Sequence, residues 1–218
     1  METLQTLWRS IDWELLGSLI SRVLAVFLCL TVHETCHGLA AYALGDPTAK
    51  RQHRLSFNPL RHIDWLGFAS MLIVGFGWAK PVPVDMRYFK KPKQGMAITA
   101  LAGPVSNFLL AVLCLIPVGW IYWHAQVTTF TLWLYNFLIN VVILSIGLGL
   151  FNLLPIPPLD GSKVLFALLP DRLYWKLMRY ERYGMLVLLV LVAFDVGSDF
   201  LSRGILWIFN ALWNLIVL

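Results

Sequence analysis

Charged residues are scarce in this chain of 218 residues. Only 13% of the residues are Asp, Glu, Lys or Arg, 59% are hydrophobic, and the mean hydropathy is +0.71. A soluble domain carries about twice that share of charge, and a chain of this length cannot bury so much apolar surface in a soluble fold. The composition therefore excludes an ordinary soluble domain and predicts an integral protein of the lipid bilayer.

Cysteine is also rare. The three cysteines, Cys29, Cys36 and Cys114, lie in apolar segments, and their odd number argues against a disulfide framework.

The net charge of +5 is better explained by loops that set membrane topology than by a nucleic-acid surface. The first basic residue is Arg9, which argues against a cleavable signal peptide.

Long apolar runs account for most of the chain. A helix needs about 20 apolar residues to cross a bilayer, and four runs meet that length: residues 18–44, 95–121, 130–153 and 184–201. Residues 1–17 are typical of an amphipathic lead-in. Residues 204–218 form a shorter apolar piece that suits the membrane interface or a half-helix.

Residues 67–84, GFASMLIVGFGWAKPVPV, are apolar but too short and too rich in glycine and proline for a spanning helix. This pattern favours a re-entrant segment or a small β-hairpin. Non-helical backbone at membrane depth persists only where it packs on protein or lines a wet cavity. We therefore expect this element to line a cavity, where a sheet-like edge would pair with an unwound substrate strand.

Lys and Arg are distributed unevenly among the loops. Residues 50–93 contain nine of them and residues 163–182 contain five, whereas residues 122–130 contain none. Both basic regions fall on one side of the membrane if residues 67–84 do not cross it. The positive-inside rule then places that side in the cytoplasm and the N-terminus on the opposite side.

The pentapeptide HETCH, residues 33–37, interrupts the first apolar run. Residues i and i+4 of a helix share one face, so His33 and His37 can bind one Zn²⁺ while Glu34 serves as a general base, as in zinc hydrolases. The alternative is a chance match or a polar patch that joins helices. An ionisable residue at the centre of a span costs about 2.5–3.5 kcal/mol, which favours the metal site.

A catalytic zinc needs a third protein ligand and one open position. Asp160 is the best candidate, because the prolines of PIPPLDG free the chain from helix geometry and Gly161 permits a tight turn. Asp195 and Asp199 come next, near the far end of the fourth run. From the residues alone, a helix-capping role for Asp160 remains open.

Three motifs in order, HETCH, LAGPVSN (101–107) and FNLLPIPPLDG (151–161), resemble the site-2 protease family of intramembrane zinc metalloproteases. The stretches QHRLSFNPLRHIDWLG and GFGWAKPVPV are similar to its compact branch, which lacks PDZ and CBS domains. The resemblance implies that His33, His37 and Asp160 bind one Zn²⁺ per chain, with Glu34 as the catalytic base. It covers about residues 20–165, although HIDW stands where that family's pattern continues H-I-D-P.

The resemblance also implies a fold and an activity. We expect an all-α integral membrane protein, a bundle of about four to six transmembrane helices, with a small membrane-embedded β or re-entrant element between the first and second core spans. A lead-in (1–17) precedes a catalytic three-span core (18–165) and C-terminal membrane segments (166–218). The implied activity is hydrolysis of a peptide bond within or near the transmembrane segment of a protein substrate.

Two amides within the apolar runs, Asn107 and Asn152, are further candidates. Either they form hydrogen bonds between helices, or they bind the extended substrate backbone or the developing oxyanion. The family resemblance favours substrate or oxyanion binding for both residues.

The competing hypothesis is a metal-ion transporter that uses His33, His37 and Asp160 as a transit site, since intramembrane ionisable residues also suit transport. Transport needs no general base, so Glu34 discriminates between the two. Few charged residues lie towards the non-basic end of the first three runs, which disfavours a path through the membrane. A zinc-stabilised but inactive protein that only binds membrane partners is a third possibility.

Overall fold

The computed structural model describes residues 12–74 and 77–218. Over these residues the chain forms α-helices and two short 3₁₀ turns, Pro59–Arg61 and Met86–Tyr88. The helices are α1 (Trp13–Ala43), α2 (Thr48–Arg51), α3 (Trp65–Val74), α4 (Pro92–His124), α5 (Thr129–Asn152), α6 (Asp160–Ala167), α7 (Asp171–Ala193) and α8 (Ser198–Ile216).

Helices α1, α4 and α5 are each long and apolar enough to cross a membrane. Helix α1 begins where the Asp12 carboxylate accepts hydrogen bonds from two backbone N–H groups of the first turn, and it ends just before Gly45. Gly45 has a φ of +105°, a conformation that favours glycine. These helices confirm the first three predicted spans to within a few residues. Residues 1–11 of the predicted lead-in lie outside the described residues.

The hydrophobic core lies where α4 packs between α1 and α5. Small residues such as Ala25 and Ala111 are fully buried there and allow the helices to approach closely. The end of α8 completes this core, because Val217 is buried in it and the Trp123 indole N–H donates a hydrogen bond of 2.7 Å to the Val217 carbonyl oxygen.

The predicted β element at 67–84 is wrong for the described part of the chain, where this region forms α3 and then extended backbone with one isolated β-bridge, between Ile63 and Ala79. Pro81 and Pro83 have no N–H to donate to a sheet. The N–H of Lys80 donates to the His62 carbonyl oxygen at 2.9 Å. The ten residues of α3 rise only about 15 Å, too little to cross a bilayer.

The predicted fourth span, residues 184–201, is also wrong as a single helix. It breaks between α7 and α8, whose axes bend by 85°. Asp195 and Gly197 take positive φ angles of 55° and 88° at this break. The described residues therefore contain three candidate spans, or four if the bent pair counts as one. The upper count of four spans equals the lowest number of transmembrane helices that we expect from the sequence, which is four to six.

The two basic regions meet at one end of the bundle. The Lys93 ammonium, at the start of α4, lies 2.9 Å from a carboxylate oxygen of Asp171 at the start of α7. It also donates a hydrogen bond to the carbonyl oxygen of Leu169. The loop that follows α4 at the other end, residues 125–128, contains no Lys or Arg. The helix arrangement thus brings residues of both basic stretches to the same end.

Candidate metal centre and active site

His33 and His37 lie one turn apart on α1 and face Asp160, the first residue of α6. The His33 Nε2 atom is 2.9 Å from the His37 Nε2 atom and 3.1 Å from the Asp160 Oδ2 atom. The His37 Nε2 atom lies 3.2 Å from the same carboxylate oxygen. All three residues are buried, so the apolar bundle encloses three convergent ligand atoms.

The three atoms suit a zinc ion in type and in spacing. Tetrahedral zinc with bonds of about 2.0–2.1 Å places its ligand atoms roughly 3.3 Å apart, close to the separations here. Two imidazoles and one carboxylate are a recurring catalytic zinc set that leaves one position open. Among the described residues, His33, His37 and Asp160 form the group of possible metal ligands whose ligand atoms all lie within 4.8 Å of one another.

Asp160 reaches the histidines because of a close contact between α6 and the end of α5. A Cβ atom on Gly161 would lie 2.1 Å from the carbonyl oxygen of Leu153, so only glycine permits this approach. The Asp160 side chain makes no helix-capping hydrogen bond; the N-cap residue is Leu159. The carboxylate is therefore available to a metal.

The pKa of Asp160 reflects two opposing effects. Burial acts to raise it, but hydrogen bonds from His33 and His37, together with their nearby charge, outweigh burial, and the pKa lies well below its ordinary value. A carboxylate with a lowered pKa is ionised at neutral pH, the form that binds a cation, and the histidine Nε2 atoms that face it must give up their protons when they bind that cation.

Each histidine has a partner for its second ring nitrogen. The Nδ1 atom of His37 lies 2.7 Å from the Thr99 carbonyl oxygen, to which it donates a proton if Nε2 is free for the metal. The Nδ1 atom of His33 lies 3.2 Å from the Asn107 side-chain amide. Partners of this kind fix the tautomer and orientation of metal-binding histidines.

Asn107 is completely buried and its Oδ1 atom lacks a hydrogen-bond partner. If a metal occupies His33 Nε2, the proton of that ring resides on Nδ1, and the amide satisfies it by turning Oδ1 towards the ring. The same rotation gives the orphaned oxygen a partner. The geometry thus places Asn107 against His33 rather than in the cavity described next.

A cavity of about 470 Å³ adjoins the three ligand residues and is also lined by Glu34. The Glu34 carboxylate accepts a hydrogen bond of 2.9 Å from the backbone N–H of Val82. Asn152 lines the same cavity, and its side-chain N–H donates to the Leu148 carbonyl oxygen at 2.9 Å. The structure therefore brings Glu34 and Asn152 to one cavity with His33, His37 and Asp160.

The sequence analysis missed several residues around this centre. The carbonyl of Thr99 and the N–H of Val82 are backbone groups, which any residue type supplies. Lys163 and Glu181 also line the cavity. Lys163 follows Asp160 by three residues on α6, a spacing that puts both on one helix face, so helical periodicity was the signal that could have identified it.

Comparisons with known proteins identify related metalloproteases. Residues 117–194 match the profile of Peptidase family M50, a match that includes Asp160 but not the HETCH segment. YwhC of Bacillus subtilis strain 168, named as a zinc metalloprotease, is 40% identical over 178 residues, which are 81% of each chain. No solved structure matches the chain significantly.

Two more distant relatives carry names of the same kind. Rip2 of Mycolicibacterium smegmatis is 26% identical over 89% of this chain and 74% of the relative. MJ0611 of Methanocaldococcus jannaschii is 36% identical over 46% of this chain and 49% of the relative. With the extensive similarity to YwhC, these matches show that the chain belongs to peptidase family M50, the site-2 protease family that its motifs resemble.

Proposed function

We propose that this protein is an intramembrane zinc endopeptidase that cleaves a protein substrate within or near a transmembrane segment. The observation that carries the proposal is the convergence of His33, His37 and Asp160, with Nε2 and Oδ2 atoms 2.9–3.2 Å apart, beside a cavity that Glu34 also lines. These three residues are the proposed ligands of one zinc ion, and Glu34 is the proposed general base.

Bound zinc supplies a Lewis acid that polarises the scissile carbonyl group and acidifies water. The Glu34 carboxylate takes a proton from the attacking water and delivers it to the leaving amine. The N–H of Val82 holds one Glu34 oxygen at 2.9 Å, which leaves the other oxygen for the proton. Asn152 is the proposed donor to the substrate backbone or oxyanion, because it lines the cavity and its amide nitrogen carries a second N–H besides the one donated to Leu148.

The substrate must unwind before it is cut, since a helix occupies its carbonyl groups in its own hydrogen bonds. The extended segment 77–85 runs along the cavity, but five of its nine residues offer no spare N–H, including Asp85, whose N–H donates to the Asp46 carboxylate. Pro81 and Pro83 have none, and those of Lys80 and Val82 are already donated. We therefore assign recognition mainly to the side chains that line the cavity rather than to added strand pairing.

The protein is a multi-pass membrane protein, as its apolar helices indicate. For its orientation we propose that the basic end, where Lys93 meets Asp171, faces the cytoplasm. The N-terminus then lies on the opposite side. We assign catalysis to the three-span core, residues 18–165.

The metal-transporter hypothesis shares the ligand set but explains neither the family membership nor Glu34. The relatives are named as metalloproteases, and a transit site needs no general base. Family membership therefore supports the protease.

The test is cleavage by the purified protein and its Glu34→Gln variant of a panel of transmembrane peptides in detergent. The parent protein should cut within an apolar segment, and Glu34→Gln should lose at least about 100-fold in rate, as expected for a general base. The proposal fails if both forms cut equally fast, or if zinc-loaded parent protein moves metal across liposomes and cuts none of the peptides.

A further inference from the structure

The two oxygens of the Asp160 carboxylate have different partners. Oδ2 faces the two imidazole rings, at 3.1 and 3.2 Å. Oδ1 faces the ammonium group of Lys163, one helical turn further along α6, at 3.9 Å. The carboxylate therefore lies between the proposed metal position and a positive charge.

The Lys163 ammonium has a second anionic neighbour on another helix. A carboxylate oxygen of Glu181, on α7, lies 3.7 Å from it. The side chains of Lys163 and Glu181 are only 22% and 23% exposed, so water screens their attraction less than it would on an open surface. Asp160, Lys163 and Glu181 thus form a row of alternating charges from the metal centre to α7.

Helix α7, which carries Glu181, forms one wall of the cavity. Glu181, Met185 and Leu188 all line it, at a spacing that puts them on one helix face. Gly184 packs against Pro157, where an added Cβ would come within 2.5 Å of the Pro157 carbonyl oxygen. This contact lies three residues after Glu181 on α7. It holds that part of the helix close to the chain before α6, where the Glu181 carboxylate reaches the Lys163 ammonium.

We propose that Lys163 is a positioning residue for the reaction, on the basis of the function proposed above. Its ammonium attracts Oδ1 and so leaves Oδ2 alone to serve as the metal-binding oxygen. Without this ion pair the Asp160 carboxylate is free to rotate, and Oδ2 is no longer held beside the two imidazole rings. Glu181 keeps Lys163 in place, which links α7 to the geometry of the metal centre.

The test compares Lys163→Gln with Lys163→Arg, which keeps the charge, and with Lys176→Gln. Lys176 is exposed on α7, so its replacement makes the same change in net charge away from the centre. The zinc dissociation constant of each detergent-purified protein is measured by competition with a chelator. The visible spectrum of the cobalt-substituted form is recorded in parallel, and far-ultraviolet circular dichroism confirms folding.

Lys163→Gln should weaken zinc binding about tenfold or more, as is typical when a partner of a ligand is lost, and should alter the cobalt spectrum. Lys163→Arg should restore most of the affinity, and Lys176→Gln should bind zinc as the parent does. Glu181→Gln should weaken binding less, and its effect should vanish when Lys163→Gln is already present, because the two act as one unit. If Lys163→Gln folds poorly, the single variant Glu181→Gln still tests the proposal, and parental zinc affinity in it would contradict the role of the Glu181–Lys163 ion pair.

The proposal is overturned if folded Lys163→Gln binds zinc as tightly as the parent does, or more tightly, because loss of a positive charge near a cation would by itself strengthen binding. Equal losses in Lys163→Gln and Lys176→Gln would also overturn it, since the effect would then come from net charge. If the parent protein itself binds no zinc, the proposed function fails instead, so the two failures are distinguishable.

Discussion

At the scale of single residues, Gly103 shows how closely α4 approaches the metal centre. A Cβ atom at this position would lie 2.5 Å from the His37 Cε1 and Nε2 atoms and 2.6 Å from the His33 Cε1 atom. We expect Gly103→Ala to displace both imidazoles and to weaken zinc binding at least about tenfold. Gly119→Ala on the same helix is the matched control, because its Cβ would meet nothing closer than 3.4 Å. Equal zinc affinity in the two variants would contradict this prediction.

Measurements of zinc affinity and cleavage rate distinguish the roles of Asn107 and Asn152. Asn107 contacts His33 at 3.2 Å, whereas Asn152 lines the cavity. Asn107→Leu should therefore weaken zinc binding by roughly 10–100-fold, and Asn152→Leu should slow peptide cleavage while zinc affinity stays unchanged. If Asn107→Leu instead keeps its zinc and loses only cleavage, Asn107 binds substrate or oxyanion, as the sequence first suggested.

The three residues that converge were the most predictable part of the candidate site. His33 and His37 share a helix face by spacing alone, and Asp160 stands out as a carboxylate after a run of prolines. Gly103 lies in the LAGPVSN motif, but neither its contact with the imidazoles nor that of Val82 with Glu34 was predictable, because tertiary packing brings both residues to α1 from 48 or more positions away in the chain. Their contributions are a missing side chain and a backbone N–H, which leave no chemical signature in a sequence.

At the scale of elements, Arg54 fixes the extended segment that holds Glu34. Its guanidinium donates to the carbonyl oxygens of Lys80 at 2.5 Å and Pro81 at 3.2 Å, and to that of Arg61. Those contacts lie next to Val82, whose N–H holds the Glu34 carboxylate. Arg54 is thus the link between the basic loop and the proposed base.

Replacing Arg54 by Gln should loosen this segment and misplace Glu34. We expect the cleavage rate to fall roughly tenfold or more, with zinc content unchanged because Arg54 contacts none of the metal ligands. Arg51→Gln is the control, since Arg51 is exposed and its side chain, within the described ranges, hydrogen-bonds the Tyr88 hydroxyl alone, at 3.3 Å. The cleavage rate and the zinc content per chain are measured for both variants. Loss of zinc together with activity in Arg54→Gln would mean that Arg54 supports the whole fold instead.

The elements that the sequence did not predict correctly have identifiable physical causes. Residues 184–201 are apolar enough to suggest one span, but the positive φ angles at Asp195 and Gly197 turn the chain between α7 and α8. The Asp-Val-Gly sequence there was a turn signal that hydropathy outweighed. At 67–84 the glycines suggested a hairpin, whereas residues 65–74 form a short helix and the prolines after it prevent a ladder.

At the scale of the whole molecule, the charge distribution predicts the orientation in the membrane. In a variant that lacks Cys29, Cys36 and Cys114, single cysteines at exposed Gln52, Gln126 and Lys176 report the two ends of the bundle. An impermeant maleimide should label Gln126→Cys in intact cells and the other two only after permeabilisation. Labelling of Gln52→Cys and Lys176→Cys from opposite sides would contradict the arrangement in which both basic regions share one end.

The proposed catalysis depends on a zinc ion bound by His33, His37 and Asp160, so zinc content is the decisive measurement. The measurement is zinc per chain in detergent-purified parent protein and in His33→Ala, Asp160→Asn and Glu34→Gln. We expect about one zinc in the parent and in Glu34→Gln, because Glu34 is the proposed base and not a ligand. We expect little or no zinc in His33→Ala and Asp160→Asn. Full zinc in those two variants, or none in the parent, would contradict the proposed metal site.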